Sequence, residues 1–571
     1  MLIRGGQAIV NALTGEGVRY VGGHSGDATY EVLDGLHDRT DIKNILTRHE
    51  QGSVYMADGF NRAYGRPAFV PLVTKGPGNG NIIGALGNAH VDAVPMVVLQ
   101  GQSPQALLDK GGLQEAPHLD IVRGVTKWGC RITTPTRIPE MMRRAFTVAR
   151  AGRPGPVVVE IPMDITAADI EEEKVAYNPA PENLAFVSDP ETVKAVARAI
   201  AEAERPVLYV GHGALWSGAS DVLVELAETF GIPVMTTLNG KSAFPEKHPL
   251  SLGLGGYPVA VYSSPMAKAF ADQADLVIAA GTSFKEYATC QWLPLPKGAK
   301  LVHINSDYLE FGKAYPADYS LLSDIRLALL AISRELASLV NAAQAQKRRK
   351  SFEAEIAELK AKWLADWQGK LNSDEVPINP YRVTHEVMSL FKPEETIVLH
   401  DAGTVRAYVA QHYLSDGPRS FIGFGGNSAM GWSVPAAIGA KLARPDKVVI
   451  DFVGDGSFGM TGMEVETAAR HKVKVIYVLI NNGVLNAVKM GQTGNYDKRW
   501  TWTELSGDYT KVAEGLGAMA QKVDRPEKIR PALEKALKAD GPALIEVIAK
   551  PGEPLPYAGP KPPYPNRPKK K

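Results

Sequence analysis

Short apolar runs recur along this chain between longer amphipathic stretches, and that alternation constrains the fold more than any other feature of the sequence. In a first block, strand-like runs fall at residues 68–72, 94–100 and 156–161, the last entered through the turn cluster Gly152-Arg153-Pro154-Gly155. A soft linker, Tyr177-Asn178-Pro179-Ala180-Pro181, leads to a second block with runs at 206–210, 232–236, 276–280 and 301–305. A third block carries runs at 396–400, 447–453, 473–480 and 543–549. Strands alternating with helices in this way read as parallel sheets covered on both faces. At 571 residues the chain is too long for one core. The expected fold is therefore α/β, with three doubly wound parallel-sheet domains at residues 1–180, 190–340 and 375–550. The charged stretch 346–370 reads as a long solvated helix, a plain connector between blocks.

Composition removes several classes of function. A formal net charge of +1 argues against a nucleic-acid binder. Cys130 and Cys290 stand far apart, so neither a disulfide framework nor a zinc knuckle follows. No apolar run approaches the roughly 20 residues that cross a bilayer. The opening residues lack the apolar run of a signal peptide, so no membrane and a cytoplasmic setting are the expectations. From Pro551 to the three closing lysines the chain is proline-rich. This tail, 551–571, is read either as a lid over an active site or as a solvated extension.

The third block holds the sharpest chemical signal. Its apolar run at 448–453 enters Gly454-Asp455-Gly456-Ser457, and the next run ends in Asn481-Asn482. Glycines let phosphate approach backbone N–H groups, and helical character from 461 to 470 adds a favourable dipole. Ligands of open α/β sheets bind at strand C-termini, which is where Asp455 and Asn482 are expected. A hard cation such as Mg²⁺ takes oxygen ligands, and Asp455, Asn482 and the Val484 carbonyl could supply them beside phosphate oxygens. Two other phosphate-like motifs fail. Asn239-Gly240-Lys241-Ser242 has Met235 where the first glycine of a phosphate loop belongs, and Gly211-His212-Gly213 has Trp216 for its third glycine.

Gly-Asp-Gly followed one strand later by Asn-Asn resembles the signature of the thiamine diphosphate enzymes of the acetolactate synthase and pyruvate decarboxylase superfamily. The resemblance covers nearly the whole chain. It implies a pyrimidine-binding, a central and a diphosphate-binding domain, with thiamine diphosphate and Mg²⁺ as cofactors and Asp455, Asn482 and Val484 as metal ligands. Arg48-His49-Glu50 followed by Ala57-Asp58-Gly59-Phe60-Asn61-Arg62 is similar to the segment bearing the family's catalytic glutamate, here Glu50. A carboxyl there stabilises the imino tautomer of the cofactor's aminopyrimidine, which takes the C2 proton. The segment Gly425 through Ala437 resembles the family's wedge loop, giving Met430 the wedge role and the Ser428 carbonyl the 4′ amino group. Gly403, Thr404, Val405, Gly454, Gly456, Ser457 and Leu485 complete the implied cofactor contacts. The resemblance further implies a homodimer or homotetramer, with Glu50 of one subunit serving the cofactor held by Asp455 of another.

The substrate side departs from the best-known relatives. His24-Ser25-Gly26-Asp27 stands where acetolactate synthases usually carry proline-glycine-glycine, and His24 there could relay protons to a small-molecule substrate. Gly76-Pro77-Gly78-Asn79-Gly80-Asn81 resembles the loop that backs the active site, and Gln114 the glutamine that points at substrate. Leu113 replaces a usual phenylalanine, and Val488-Lys489-Met490-Gly491 replaces the segment with a Gln-Trp pair. The implied activity is C–C bond lysis or ligation on a 2-oxo acid or 2-hydroxyacyl compound through a C2 ylide and an enamine, acetolactate synthase-like. A 2-hydroxyacyl-CoA lyase or benzaldehyde lyase-like carboligase follows, then a flavin-coupled 2-oxo acid oxidase. A cofactor-binding protein without turnover is the reading from another class, against which Glu50 stands. In the central domain His212, Ser283 and Asp307 lie at expected strand ends, and FAD or an adenine nucleotide is the ligand some relatives carry there.

Overall fold

The structure is a computed structural model that describes residues 1–182, 184–495 and 500–556. It contains three six-stranded sheets and a two-stranded one. The first sheet runs Lys43–Leu46, Tyr20–His24, Phe69–Val73, Met96–Gln102, Pro156–Pro162, Trp128–Arg131, every neighbouring pair parallel. The central sheet runs Ser251–Leu254, Val234–Thr236, Pro206–Val210, Leu276–Ala280, Lys300–Asn305, Tyr319–Leu322, again parallel throughout. The five longer strands of the third sheet are Thr396–His400, Val448–Gly454, Ile476–Asn481, Ala543–Ile548 and Met519–Val523, parallel and in that order.

The strands that sequence alone reveals are the interior ones. Phe69–Val73, Met96–Gln102 and Pro206–Val210 are buried at every position, because helices cover both faces, and so they read as apolar runs. Trp128–Arg131, Ser251–Leu254, Tyr319–Leu322 and Met519–Val523 were not expected. Each is the end strand of its sheet in the order above, and three of them are largely part-exposed, so no such run marks them.

The chain clusters into two compact units. One takes in the first and third sheets, from Met1–Leu184, Glu395–Val405 and Asn427–Pro551; the other takes in the central sheet, from Ala185–Glu394 and Arg406–Gly426, with the described residues beyond Gly552. In the first unit, helix Glu50–Tyr64 crosses helix Ser433–Ala443 at backbone contact distance. A Cβ added to Gly59 would lie 2.0 Å from the Ala436 carbonyl oxygen, and one added to Gly439 would lie 1.9 Å from that of Met56. Beside this crossing the buried Arg62 pairs with Asp58 and Asp92 and stacks over the Trp432 ring.

Two expectations are corrected. The stretch 346–370 belongs to a 30-residue helix, Ala342–Leu371, that is not a solvated connector. Ala345, Phe352, Ile356 and Trp363 form one buried stripe, spaced by whole helical turns, and Phe352 meets Phe270 of the central domain edge-on at 5.5 Å. The helix expected at 461–470 is two helices, Asp455–Thr461 and Glu464–Arg470, so the Gly-Asp-Gly-Ser residues are themselves a helix N-terminus. The first residues of the tail are held: Glu553 pairs with Lys370, Pro554 accepts from Tyr381 Oη and Pro556 from Gln411 Nε2. Residues 557–571, and with them the lid reading, lie outside the described residues. Among the described residues no helix is long and apolar enough to cross a membrane.

Candidate active site

Strand Val448–Gly454 leads straight into helix Asp455–Thr461, and strand Ile476–Asn481 ends beside it in parallel register, Gly454 opposite Ile480. A cleft forms on this edge. Its lining includes Gly403, Thr404, Val405, Met430, Gly454, Asp455, Gly456, Ser457, Asn482, Val484 and Leu485, which are the expected cofactor residues apart from Ser428. Asn486 and Val488 also line it, and Asn486 Nδ2 donates to Thr404 Oγ1 across 3.2 Å.

Each oxygen of the expected metal set is oriented by its neighbours. Asp455 is buried, and its carboxylate accepts from Gly456 N and Gly483 N, each at 2.9 Å. Burial pushes its pKa up, against the lowering effect of those N–H groups. Asn481 and Asn482 divide the work. Asn481 turns its amide group to Glu546 at 2.7 Å, while Asn482 lines the cleft and accepts from Val484 N at 3.3 Å. Residues 483–485 pair with 503–505 through Leu485 N to Thr503 O and Leu505 N to Gly483 O. Antiparallel pairing turns the intervening Val484 N–H and carbonyl to the opposite side, the side of Asn482. Among the described residues no three His, Cys, Asp or Glu side chains converge. The donors on this edge are thus hard oxygens, suited to a cation that also takes diphosphate oxygens.

The cradle also fits a diphosphate. A Cβ added to Gly456 would lie 2.7 Å from Leu485 and 3.2 Å from the Met430 methyl group, so only glycine leaves the space open. Met430 thus stands beside the phosphate turn. Its loop is strained, with Ser428 at φ 55°, a left-handed conformation that non-glycine residues seldom adopt. Asp401, buried at the end of strand Thr396–His400, fixes this loop. It accepts from Ala402 N (2.7 Å), Gly431 N (3.0 Å) and Ser433 N (2.8 Å). Ser433 Oγ donates in turn to Asp451 at 3.0 Å. Burial raises the pKa of both acids, and for Asp451 burial, with the neighbouring Asp401 adding to it, takes the pKa well above the usual range. Asp401 heads the segment Asp401-Ala402-Gly403-Thr404-Val405, which resembles the family's diphosphate loop, whereas Asp451 was not found by sequence reasoning.

The Glu50 region belongs to the same unit but not to that cleft. Glu50 is the first residue of helix Glu50–Tyr64, after strand Lys43–Leu46, and is buried. Its Oε2 accepts from Asn81 Nδ2 at 2.9 Å. Glu464, on the helix that follows the Gly-Asp-Gly-Ser segment, accepts from Arg48 N at 3.0 Å and His49 N at 3.1 Å. His24 is exposed, with Nδ1 3.0 Å from the Thr47 carbonyl. A carbonyl only accepts, so Nδ1 carries the proton and Nε2 keeps its lone pair. Gln114 is exposed and left-handed, φ 59°, with its Cβ against Gly76. Asn81 closes the Gly76–Asn81 loop that the sequence singles out, but its bond to Glu50 is not legible there, and Glu464 carries no local signal because it lies far along the chain from the backbone it holds.

The central domain shows no phosphate cradle at its switch point, between Pro206–Val210 and Leu276–Ala280. Gly211 N–H is spent on the Ala280 carbonyl and Gly213 N–H on that of Gly281, and a Cβ on Gly211 would meet the Gly281 oxygen at 2.2 Å. His212 lies against the Trp216 ring, and Asp307 caps the turn at Leu309. Lys241 is buried in an ion pair with Glu246, which also accepts from Ser415.

A Gly-Asp-Gly helix start, an oxygen-lined strand edge and a glutamate at a second helix start, carried on parallel sheets, define a cofactor-dependent enzyme that holds a diphosphate. Comparison with known families places it further. Residues 3–122, 193–332 and 401–547 match the N-terminal TPP binding domain, the central domain and the C-terminal TPP binding domain of the thiamine pyrophosphate enzymes. A probable acetolactate synthase large subunit of Methanocaldococcus jannaschii is 35% identical, covering 98% of this chain and 94% of its own length. The acetolactate synthase large subunit of Corynebacterium glutamicum is 34% identical over 95% of this chain and 86% of its own. Chloroplastic acetolactate synthase 1 of Nicotiana tabacum is 33% identical over 95% and 81%. The chain belongs to the thiamine pyrophosphate enzyme family, and it is a thiamine diphosphate-dependent enzyme.

Proposed function

We propose that this enzyme makes or breaks a C–C bond beside a carbonyl, acting on a 2-oxo acid as an acetolactate synthase-like decarboxylase and ligase. The observation that carries the proposal is the cleft of Asp455, Asn482, Val484, Gly456 and Met430, taken with relatives named as acetolactate synthases. Asp455, Asn482 and the Val484 carbonyl would hold Mg²⁺, Gly403–Val405 and Gly454–Ser457 would hold the diphosphate, and Met430, with Ser428 and Leu485 beside it, would support the cofactor's rings. Thiamine diphosphate held there would supply a carbon nucleophile and an electron sink.

Glu50 would present its carboxyl to the aminopyrimidine of bound cofactor and assist proton transfer there. Such acid–base assistance is worth about 10²–10⁴ in rate. His24, with Nε2 free to accept, moves protons at the substrate oxygen, and Gln114 orients the substrate. Glu50 is not among the residues lining its own chain's cleft, which supports service to a partner's cofactor and hence a homodimer or homotetramer. The exposed Met460 and Met463, just after the phosphate turn, support a surface covered by a second copy. FAD or an adenine nucleotide is the ligand proposed for the central domain, with its phosphates away from Gly211 and Gly213, whose N–H groups donate to the Ala280 and Gly281 carbonyls. A yellow, flavin-bearing preparation would support it. Two buried free cysteines support a reducing, cytoplasmic setting.

His24 and Val488, the latter in the cleft wall, favour a second reading, a 2-hydroxyacyl-CoA lyase or benzaldehyde lyase-like carboligase. The deciding experiment is a product survey of the purified enzyme with thiamine diphosphate and Mg²⁺. Pyruvate, aromatic aldehydes and 2-hydroxyacyl-CoA thioesters are the substrates. Acetolactate is the expected product, and thioester cleavage or benzoin formation without it selects the second reading. Glu50→Gln should fold normally and lose most turnover in either case; near-normal turnover removes Glu50 from the mechanism.

A further inference from the structure

Four elements of the proposed site meet at one turn. Gly76 sits at φ 65°, ψ −121°, a conformation open to glycine, and starts the short helix Pro77–Gly80. Lys75, just before it, is buried and pairs with Asp27 of the His24 loop at 2.7 Å. Gln114 packs on Gly76 so closely that an added Cβ would lie 2.6 Å from the Gln114 Cβ. Asn81, just after the turn, donates to Glu50 at 2.9 Å, and Gly78 leaves room for the Glu50 carboxylate, 3.1 Å from where its Cβ would be. The Gly76 N–H itself donates to Nε2 of His118 at 3.1 Å.

His118 is 1% exposed. A backbone N–H can only donate, so Nε2 must be the bare nitrogen and Nδ1 must carry the ring proton. Nδ1 lies 3.2 Å from Gln102 Nε2 and 3.5 Å from Glu160 Oε1, and of these only the Glu160 oxygen can accept its proton. Glu160 is buried and also pairs with Arg131 and accepts from Gln102 Nε2 at 3.0 Å. Burial alone would raise its pKa, but its bonds to His118 and Arg131 outweigh burial and hold it below the ordinary carboxylate range. The ionised Glu160 fixes the tautomer, and the tautomer presents an acceptor to Gly76.

We propose that His118 is a positioning residue: through Gly76 and the turn that ends in Asn81 it sets the carboxylate of Glu50. It touches neither cofactor nor substrate. The proposal rests on the reading of Glu50 given above, and its test separates the two. Exchange of the cofactor's C2 proton with deuterium reports the step that Glu50 assists, and amide exchange of the Gly76 peptide in the cofactor-free protein reports the turn.

His118→Phe keeps the ring volume but offers no acceptor. Gly76 amide exchange should accelerate, and C2 exchange should fall about 10²-fold, the scale of a displacement near 1 Å at a reacting group. His118→Gln, whose amide oxygen can accept from Gly76 while its NH₂ group donates to Glu160, should restore most of both. Should the Phe variant not fold, His118→Asn carries the same test with a side chain too short to reach Gly76. Wild-type C2 exchange in the Phe or Asn variant overturns the proposal, as does a Gln variant as impaired as Phe. Glu50→Gln run alongside is the control: wild-type C2 exchange there means that the Glu50 reading has failed, whereas loss there with retention in the His118 variants means that only this inference has.

Discussion

The diphosphate region and the Glu50 region share one compact unit, yet they are held in opposite ways. Around Asp455 the supports lie on two adjacent strand ends. Gly456, the next residue, and Gly483, at the end of the neighbouring strand, orient the carboxylate, and Asn482 accepts from Val484 N two residues on. Around Glu50 they come from separate elements. Asn81 follows the short helix Pro77–Gly80, and Glu464 reaches the backbone of Arg48 from 416 residues away. A phosphate and metal edge can be built by a strand, a turn and a helix N-terminus. A carboxylate that must face an aromatic base has no such ready-made frame, and its alignment depends on tertiary structure.

Breaking the local frame should have the largest effect. Asp455→Ala removes a proposed Mg²⁺ ligand and the group that Gly456 and Gly483 donate to. Cofactor affinity in the presence of Mg²⁺, measured by calorimetric titration, should weaken by more than about 10²-fold, the upper range seen when metal-site partners are lost. An unchanged affinity would mean that the diphosphate is held elsewhere, and the contrast between the two regions would collapse.

The same contrast explains what the sequence disclosed. The cleft residues were legible because glycine, aspartate and asparagine at a strand end state their chemistry within a few positions. Interior strands were legible as apolar runs, whereas end strands such as Tyr319–Leu322, half solvated, were not. The helix Ala342–Leu371 was misread because its many charges hide a narrow buried stripe. Glu464 and His118 carried no signal at all, and Asn81 and Asp401 stood in recognised loops without any sign of what they hold. Each is an ordinary polar residue until folding brings its partner to it, and one sequence holds no record of that pairing.

A smaller effect is expected from loosening the remote frame. Glu464 is buried, its pKa raised by burial against the bonds it makes, and it closes against Gly52 at the start of the Glu50 helix. Glu464→Ala leaves the Arg48 and His49 N–H groups without their acceptor, which should cost about 1–3 kcal/mol of stability in urea unfolding. Turnover should fall while Mg²⁺-dependent cofactor affinity stays near normal, the reverse of Asp455→Ala. Glu464→Gln, which keeps an acceptor oxygen, should recover much of the loss. If Glu464→Ala instead weakened cofactor affinity and spared turnover, the clamp would belong to the diphosphate side.

The smallest effect concerns a carboxyl beneath the local frame, and it appears as a pH dependence of stability. Asp451 is fully buried, receives the Ser433 hydroxyl, leaves its other oxygen without a hydrogen bond, and neighbours Asp401. Burial and that neighbouring charge raise its pKa well above 3.8, so the folded protein keeps a proton that the unfolded chain has released. Between those two pKa values the native state binds more protons, so this contribution to stability is complete at low pH and is lost as pH rises through the native pKa. Asp451→Asn resembles the protonated acid in shape and still accepts from Ser433. Urea unfolding across this window should show the wild type losing stability with rising pH, by at most about 1.4 kcal/mol per pH unit, and the variant with that slope removed. Cofactor affinity should be unaffected, because Asp451 acts on Ser433 and not on the cleft. Parallel curves for the two proteins would mean that Asp451 is ionised in the fold, and that the wedge loop rests on two charged acids instead of one.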